Sequence, residues 1–437
     1  MEKLTKPILA ILDIVWLIVL FYITTNIRQE IYIFELPEFN RLTLYDFSFV
    51  VVIVFVLFYY EGIYKFRYDF WQDTFRVIRS LIIGFILTFA ILSLSKTNLE
   101  YSRAFIVIYF SLSFVLLPIF KRYTKKIIFY FDGFKKDVLV VGQAESVEIF
   151  KKEISKNWYL GLKFNKKSYD SVIVISKGLK QNKLSKLIDK YLHKTAEVFL
   201  VPYITDINFA HSNIMEYSNI RVNAIQIENK LLLASNILVK DIFDKVVSFL
   251  ILPIFLVIHM IVVVAIRVDS KGCVWFKQHR LGKDDVDFEV YKYRTMYENS
   301  DKLLERYLEN NPDEVVNYEE FHKYKNDPRI TKVGKFLRAT SLDEFPQIIN
   351  VLKGDMSLVG PRPYMLSESE KLEKNKHLIL KVKPGITGLW QVSGRNNLTF
   401  KERYELEVWY IKNWSLWADL VILIKTIKVV LGKVGAR

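Results

Sequence analysis

Two carboxylates stand side by side at Asp343 and Glu344, inside the run Ser341-Leu342-Asp343-Glu344-Phe345-Pro346-Gln347. Ser341 and Glu344 have the S-x-x-E spacing of a capping box, in which the serine oxygen accepts from the amide three residues on and the glutamate reaches back to the cap amide. An acidic pair in a first helical turn would then simply complement the dipole. The same pair could also do chemistry. A carboxylate kept ionised by a helix N-terminus and by nearby arginines is a nucleophile toward phosphorus. The sequence supplies cations for that role: Arg329 and Arg338 just upstream, and Lys292, Arg294, Arg362 and Arg395 in short motifs instead of charge runs. Guanidinium forks grip phosphate oxygens bidentately and neutralise the charge that develops in phosphoryl transfer. Gly360-Pro361-Arg362-Pro363 and Lys383-Pro384-Gly385 would hold such arginines on rigid turns, although these are also ordinary loop residues. From residue types alone, the capping box and the phosphate site both stand.

The scaffold that must position these groups is indicated upstream of them. Val246–Ile266 is an apolar run with His259 as its one ionisable residue and Pro253 near its first third. Its length suits a membrane span, but Arg267, Lys271, Lys277 and Arg280 follow directly and oppose translocation. A proline removes one backbone hydrogen bond and kinks a helix. The run therefore reads as a re-entrant helix, 246–266, that enters the membrane, breaks at Pro253 and returns to the same face.

Four further apolar runs, roughly Pro7–Thr25, Phe47–Tyr60, Val77–Leu94 and Phe105–Phe120, read as transmembrane helices. The first and third approach the ~20 residues a hydrocarbon core requires, and the other two are a little short. Lys3 and Lys6, then Lys65, Arg67, Arg76 and Arg79, then Lys121, Arg122, Lys125 and Lys126 mark alternate flanks. The positive-inside rule puts both ends of this four-helix unit in the cytoplasm. From about Asp137 the period changes: Val138–Val141, Ser171–Ile175 and Val198–Val201 are short β-branched runs separated by helical stretches, the pattern of a small parallel α/β domain. Gly142 stands there without the G-x-G-x-x-G of a dinucleotide loop, so a structural or regulatory domain is expected. The Trp-rich stretch Val408–Leu420 reads as an interfacial helix, with an ordinary packed amphipathic helix as the alternative.

Composition agrees with a membrane setting. The 437 residues are 51% hydrophobic yet carry 62 Lys and Arg against 47 Asp and Glu, a formal charge of +15. Apolar and basic together suit an anionic membrane surface or phosphate-bearing ligands, and the long uncharged runs argue against a soluble nucleic-acid binder. Cys273 is the only cysteine, which excludes an internal disulfide and a cysteine-built zinc site and suits a reducing cytosol. The six histidines show no metal spacing. The N-terminus, with charges at Glu2, Lys3 and Lys6 and no small-residue cleavage site, reads as an uncleaved first span.

Over Lys240–Arg437 the chain resembles the bacterial sugar transferase family, the monotopic phosphoglycosyl transferases. The matching pieces are Phe276-x-Gln278-x-Arg280-x-Gly282, Tyr291–Met296, Asp327–Thr331, Ser341–Gln347, Gly354–Pro363 and Pro384–Arg395. With the four spans and a Rossmann-like α/β domain, the whole chain resembles the polytopic branch. Its expected division is a transmembrane domain at 1–125, the α/β domain at 133–235 and a mostly α-helical transferase domain at 240–437. Phe345, where an aliphatic is common, and Ala339, where a basic residue is common, are small departures that leave the acidic pair intact.

The resemblance implies a ping-pong reaction. Asp343 would attack the β-phosphorus of a UDP-sugar, UMP would leave, and undecaprenyl phosphate would take the phosphosugar from the carboxylate. Glu344 would assist by helping place Mg²⁺ or by handling a proton, which makes Asp343 and Glu344 the metal candidates as well. Lys292, Arg294, Arg329, Arg338, Arg362 and Arg395 are the candidates for the two phosphates and the uridine end. The expected partners are the UDP-sugar, undecaprenyl phosphate and the lipid bilayer, with no nucleic acid, and a homodimer is the candidate assembly. The expected place is the bacterial inner membrane, with the catalytic domain on the cytoplasmic face and a product feeding lipopolysaccharide, capsule or exopolysaccharide. The Trp-rich stretch resembles the undecaprenyl-phosphate galactose phosphotransferase branch, which favours UDP-galactose over UDP-glucose. Two other readings stay open: a membrane nucleotide-sugar dehydratase, disfavoured by the lone Gly142, and a non-catalytic scaffold, disfavoured by the retained acidic pair.

Overall fold

The computed structural model describes residues 2–30, 42–94, 102–195, 197–202, 214–217, 222–226, 229–298, 300–311, 327–394 and 398–431. The chain divides into two compact units, Met1–Ile204 and Thr205–Arg437.

The first unit opens with helices α1 (Glu2–Glu30), α2 (Leu44–Tyr60), α3 (Phe70–Leu94) and α4 (Arg103–Ile128). Among these, α1, α3 and α4 are long and apolar enough to cross a membrane, while α2 has 17 residues and falls short of that length. Thr43 starts α2 with a capping box to Asp46, which ends the loop without leaving amides bare. Leu17, Phe21, Phe47, Val54, Phe58, Phe105 and Tyr109 interlock as the bundle core. Val52, Val56, Ile86 and Val115 face outward and exposed, the arrangement expected where lipid and not water is the solvent. Two buried ion pairs cross the bundle, Lys121 with Asp13 and Lys125 with Asp73. Tyr64 donates to Asp13 at 3.0 Å and Tyr159 to Asp73 at 2.6 Å.

The same unit continues with β1 (Lys136–Val141), α5 (Ala144–Ser155), β2 (Leu162–Phe164), β3 (Ser171–Ile175), α6 (Gln181–Leu192) and β4 (Glu197–Val201). The strands form one parallel sheet in the order β2-β1-β3-β4. Such a sheet needs crossover connections, and α5 and α6 supply two of them.

The second unit begins with an antiparallel hairpin, β5 (Ile214–Tyr217) and β6 (Val222–Ile225), followed by α7 (Ala234–Asp269). Helix α7 runs as one 36-residue element with Pro253 inside it. The proline does not end the helix, in contrast to the break expected there, since a long helix tolerates the loss of one hydrogen bond. Polar residues in the first and last thirds of α7 bond to the same unit. Lys240 lies 2.6 Å from Asp419, Asp241 2.9 Å from Lys383, and Asp244 accepts from Ser357 at 2.6 Å. Farther on, His259 Nδ1 lies 2.8 Å from Tyr293 Oη, and Asp269 accepts from the Val333 amide at 2.9 Å. The remaining surface of the helix, including Phe249, Leu250, Ile254, Val257, Met260, Ile261 and Val264, is exposed and apolar.

Around α7 stand the antiparallel pair β7 (Trp275–Leu281) and β8 (Asp287–Tyr293), helix α8 (Lys332–Thr340), a 3-10 helix over Leu342–Gln347, helix α9 (Ile348–Lys353), the parallel pair β9 (Ser357–Val359) and β10 (Gly385–Thr387), and helices α10 (Phe400–Lys412) and α11 (Leu416–Leu431). The Trp-rich stretch is thus two helices joined at Asn413–Ser415 and not one interfacial helix. Trp414 Nε1 and Tyr410 Oη both donate to Asp419, at 2.9 and 2.7 Å. Sharing that buried acid turns both aromatics into the domain core.

Candidate active site

The acidic pair begins the 3-10 helix that follows α8 directly. Ser341 has φ 57 and ψ 18, closes α8 as its C-cap, and makes no capping hydrogen bond with its side chain. The expected capping box is therefore absent. A cap serine needs extended backbone, and the left-handed turn between two abutting helices denies it. The Glu344 side chain points instead to Lys292, with Nζ 2.6 Å from Oε1.

Two neighbouring elements hold this junction in place. Thr331 caps α8 by accepting from the Gly334 amide at 2.9 Å. Gly334 must lack a side chain, since a Cβ there would meet the Thr295 carbonyl oxygen at 2.1 Å. This close approach lets Arg338 Nε reach Thr295 Oγ1 at 2.9 Å. Thr331 N also donates to Thr295 O, and Tyr297 N to Arg329 O, so the segment Asp327–Thr331 is zipped to the segment after β8. On the other side, the side chain of Asn350, fully buried in α9, bonds both backbone groups of β8 within reach: Nδ2 donates to Glu289 O at 2.7 Å, and Oδ1 accepts from Tyr291 N at 3.1 Å. That clamp sets β8, and with it Lys292, against the 3-10 helix. Nothing in the local sequence marks Asn350, because its partners lie about sixty positions away.

The electrostatics correct one expectation. Asp343 is not held ionised by a dipole and arginines: its pKa is pushed up to about 6, by burial first and then by the adjacent Glu344 charge, with Lys292 and Arg338 only partly opposing. A 3-10 helix of six residues carries little macrodipole, whereas a like charge next door acts at full strength in a half-buried site. A carboxyl near pH 6 is still mostly ionised at neutral pH and remains a competent nucleophile.

The six expected cations separate into groups. Lys292 and Arg338 flank the acidic pair. Arg329 grips Asp327 through Nε and Nη2, at 2.9 and 2.7 Å. Burial would raise Asp327, but the bonds from Arg329 outweigh it and hold the acid below its ordinary range. Arg294 is turned away from the acidic pair. Its Nη2 donates to Ser270 O and Oγ and its Nη1 to Lys271 O and Glu298 Oε1, so it ties down the loop after α7. Its Nε is enclosed without a hydrogen-bond partner among the described residues. Arg362 lies on the β9 side. Gly360 and Gly385 pack backbone to backbone there, a Cβ at Gly360 falling 2.6 Å from Lys383 O, and Gly385 N donates to Pro361 O at 2.8 Å. Arg362 N donates to Glu407 Oε1 at 2.8 Å, and its Nη2 stands 3.7 Å from Glu368. Burial pushes Glu407 up to about 7. Arg395 lies outside the described residues. Arg280, on β7 and 7% exposed, belongs with Arg362, and its motif position was the one signal that could have drawn it into the candidate set.

Among the described residues no group of three or more His, Cys, Asp or Glu side chains stands together to hold a metal unaided. Two adjacent carboxylates that repel one another do suit Mg²⁺, which takes one or two protein carboxylates and fills its remaining positions with water and substrate phosphate.

The model of the bacterial sugar transferase family matches residues 235–433. An uncharacterized sugar transferase of Haemophilus influenzae is 33% identical over 412 residues, 85% of each chain. The undecaprenyl-phosphate galactose phosphotransferase of Salmonella typhimurium is 32% identical over 409 residues, 85% of this chain and 84% of that one. The UDP-glucose:undecaprenyl-phosphate glucose-1-phosphate transferase of Escherichia coli is 36% identical over 253 residues, 56% of this chain and 51% of that one.

Proposed function

This chain belongs to the bacterial sugar transferase family, and on that premise we propose that it moves a sugar 1-phosphate from a UDP-sugar to undecaprenyl phosphate, releasing UMP. The observation that carries the proposal is the half-buried acidic pair faced by Lys292 and Arg338.

In the first half-reaction an oxygen of Asp343 forms a bond to the β-phosphorus while the bond from that phosphorus to the bridging oxygen breaks, and its electron pair leaves on UMP. In the second, a phosphate oxygen of the lipid bonds to the same phosphorus and the Asp343 oxygen departs, giving undecaprenyl diphosphate sugar. Lys292 and Arg338 neutralise charge on the transferred group. Asp343 and Glu344 are the residues that would hold Mg²⁺, which when bound neutralises diphosphate oxygens.

Helix α7 supports a reading in which it stays at one face of the membrane without crossing it. Its first and last thirds both bond to one unit, whereas a helix crossing ~30 Å of hydrocarbon would carry one end away from that unit. We therefore place the site at the cytoplasmic face of a bacterial inner membrane. UDP-galactose is the first donor to test and UDP-glucose the second, because the similarity to the galactose phosphotransferase extends over more of the chain.

The test is UMP release from a panel of UDP-sugars by the purified protein with undecaprenyl phosphate and Mg²⁺, beside Asp343→Asn. Release from one sugar by wild type alone supports the reading and names the donor. Equal release by the variant, or silence across the panel, sinks it.

A further inference from the structure

The β7–β8 hairpin pairs Phe276 with Lys292, Gln278 with Val290 and Arg280 with Phe288. Residues two apart on a strand share a face, and so do directly paired residues. Phe276, Gln278 and Arg280 therefore line up on the face that carries Lys292. At one end of this row Lys292 holds Glu344. At the other end Arg280 is buried, its Nη2 donates to Gln278 Oε1 at 2.7 Å, and its Nη1 is enclosed with no hydrogen-bond partner among the described residues. An enclosed guanidinium with an open donor is costly unless something fills it.

Two more guanidinium groups belong to the same neighbourhood. Leu281 N donates to Tyr364 O at 2.9 Å, which ties the end of β7 to the loop bearing Arg362. Tyr364 Oη and Arg362 N both donate to Glu407 of α10. That helix also carries Arg403, whose guanidinium lies 5.2 Å from the centre of the Trp390 ring. Burial and the Arg362 charge hold both Arg280 and Arg403 below their ordinary values, as expected of cations crowded together. The opposing acids are Glu368 and Glu344 for Arg280, and Glu407 and Glu368 for Arg403.

We propose that Arg280, together with Arg362, is a second phosphate clamp of this site, holding the phosphate that leaves with the nucleoside while Lys292 serves the phosphate that Asp343 attacks. The inference rests on the nucleotide-sugar reading above and adds a direction to it: the diphosphate lies along the hairpin face, from Lys292 toward Arg280. When the bond to the bridging oxygen breaks, the electron pair stays on the departing nucleoside monophosphate. The open Nη1–H of Arg280 then meets that oxygen group as its charge grows, which is where a preorganised donor lowers a barrier most.

The experiment uses the full-length protein in detergent, as wild type, Arg280→Met and Arg280→Lys. Binding of UMP and of inorganic pyrophosphate is measured by titration calorimetry, and the melting temperature with and without each ligand. Losing a charge-assisted bond to phosphate should weaken binding of both by about tenfold or more in Arg280→Met, with partial recovery in Arg280→Lys. The ligand-free Met variant should melt no lower than wild type, since it no longer encloses an unfilled donor. Wild-type affinity for UMP in Arg280→Met overturns the clamp even if the wild type turns over a UDP-sugar. A ligand-free melting point well below wild type overturns it too, because the arginine would then be structural. Arg280-dependent binding of pyrophosphate by a protein that ignores UMP supports the clamp and overturns the nucleotide donor instead.

Discussion

Two clusters of buried charge, one in each unit, are built on opposite plans. In the helical bundle the two buried lysines each have their own acid: Lys121 with Asp13 and Lys125 with Asp73, each acid also accepting from a tyrosine. The charges cancel within the cluster, although one oxygen of each acid lacks a partner among the described residues. In the transferase unit the charges do not cancel locally. Asp343 and Glu344 repel each other, Lys292 serves only Glu344 by direct bond, and Arg280 keeps an open donor. Burial of charge alone thus does not mark a functional site. Imbalance is what sets the second cluster apart, and a bound ligand is one thing that completes an unbalanced buried charge.

The sharpest way to break this contrast is Asp343→Asn. It should lower UMP release by about a thousandfold or more, some 4 kcal/mol of barrier, without lowering the melting temperature. The sign of the stability change follows from the raised pKa. Folding favours the protonated acid, so the Asp343 contribution to stability is present at low pH and is lost as pH rises through about 6. The Asn variant should therefore melt at or above wild type at pH 8, with that gain shrinking by pH 5. A clear loss of melting temperature at pH 8 would put Asp343 in the structural class with Asp73.

The bundle should behave in the opposite way. Lys125→Met leaves Asp73 buried and uncompensated, which should cost ~3–5 kcal/mol, read as a large drop in melting temperature. Adding Asp73→Leu should recover most of it. No recovery would mean that this pair does more than hold the bundle.

Lys292→Met should reduce kcat/KM for the nucleotide sugar by about tenfold to a hundredfold, ~1.4–2.7 kcal/mol. It should also move the acid limb of first-turnover UMP release above pH 6, since the Lys292 charge lowers Asp343. Glu344→Gln should move the same limb below pH 6 by removing the like charge. Identical limbs in all three proteins would show that another group titrates. The smallest effect is expected at Glu407. Glu407→Gln keeps one acceptor oxygen for Arg362 N and presents an NH2 from which Tyr364 Oη accepts, and should change stability by less than about 1 kcal/mol, whereas Glu407→Ala strands both donors and should cost ~1–3 kcal/mol. Thermal melts of the two variants decide it.

The helices of the first unit were legible in the sequence as long apolar runs, and the strands of its sheet as short β-branched runs. The acidic pair and its cations were legible as residue types that chemistry restricts. Helix α7 was placed by its apolar run, while its unbroken passage through Pro253 was not, because the contacts that hold both halves come from Asp419, Ser357, Tyr293 and Val333, all distant in the chain.

The sequence by itself therefore determined where this protein is apolar, where its elements lie and which side chains could handle phosphate. Only the tertiary structure decided how those side chains are paired. It set Arg294 against the loop after α7 and enclosed Arg280 beside Gln278. It replaced the Ser341 cap with a left-handed turn and raised Asp343 instead of lowering it. The physical reason is common to all four: a side chain's charge state and free hydrogen-bonding capacity depend on neighbours within a few ångströms in space, and a local pattern carries no record of them.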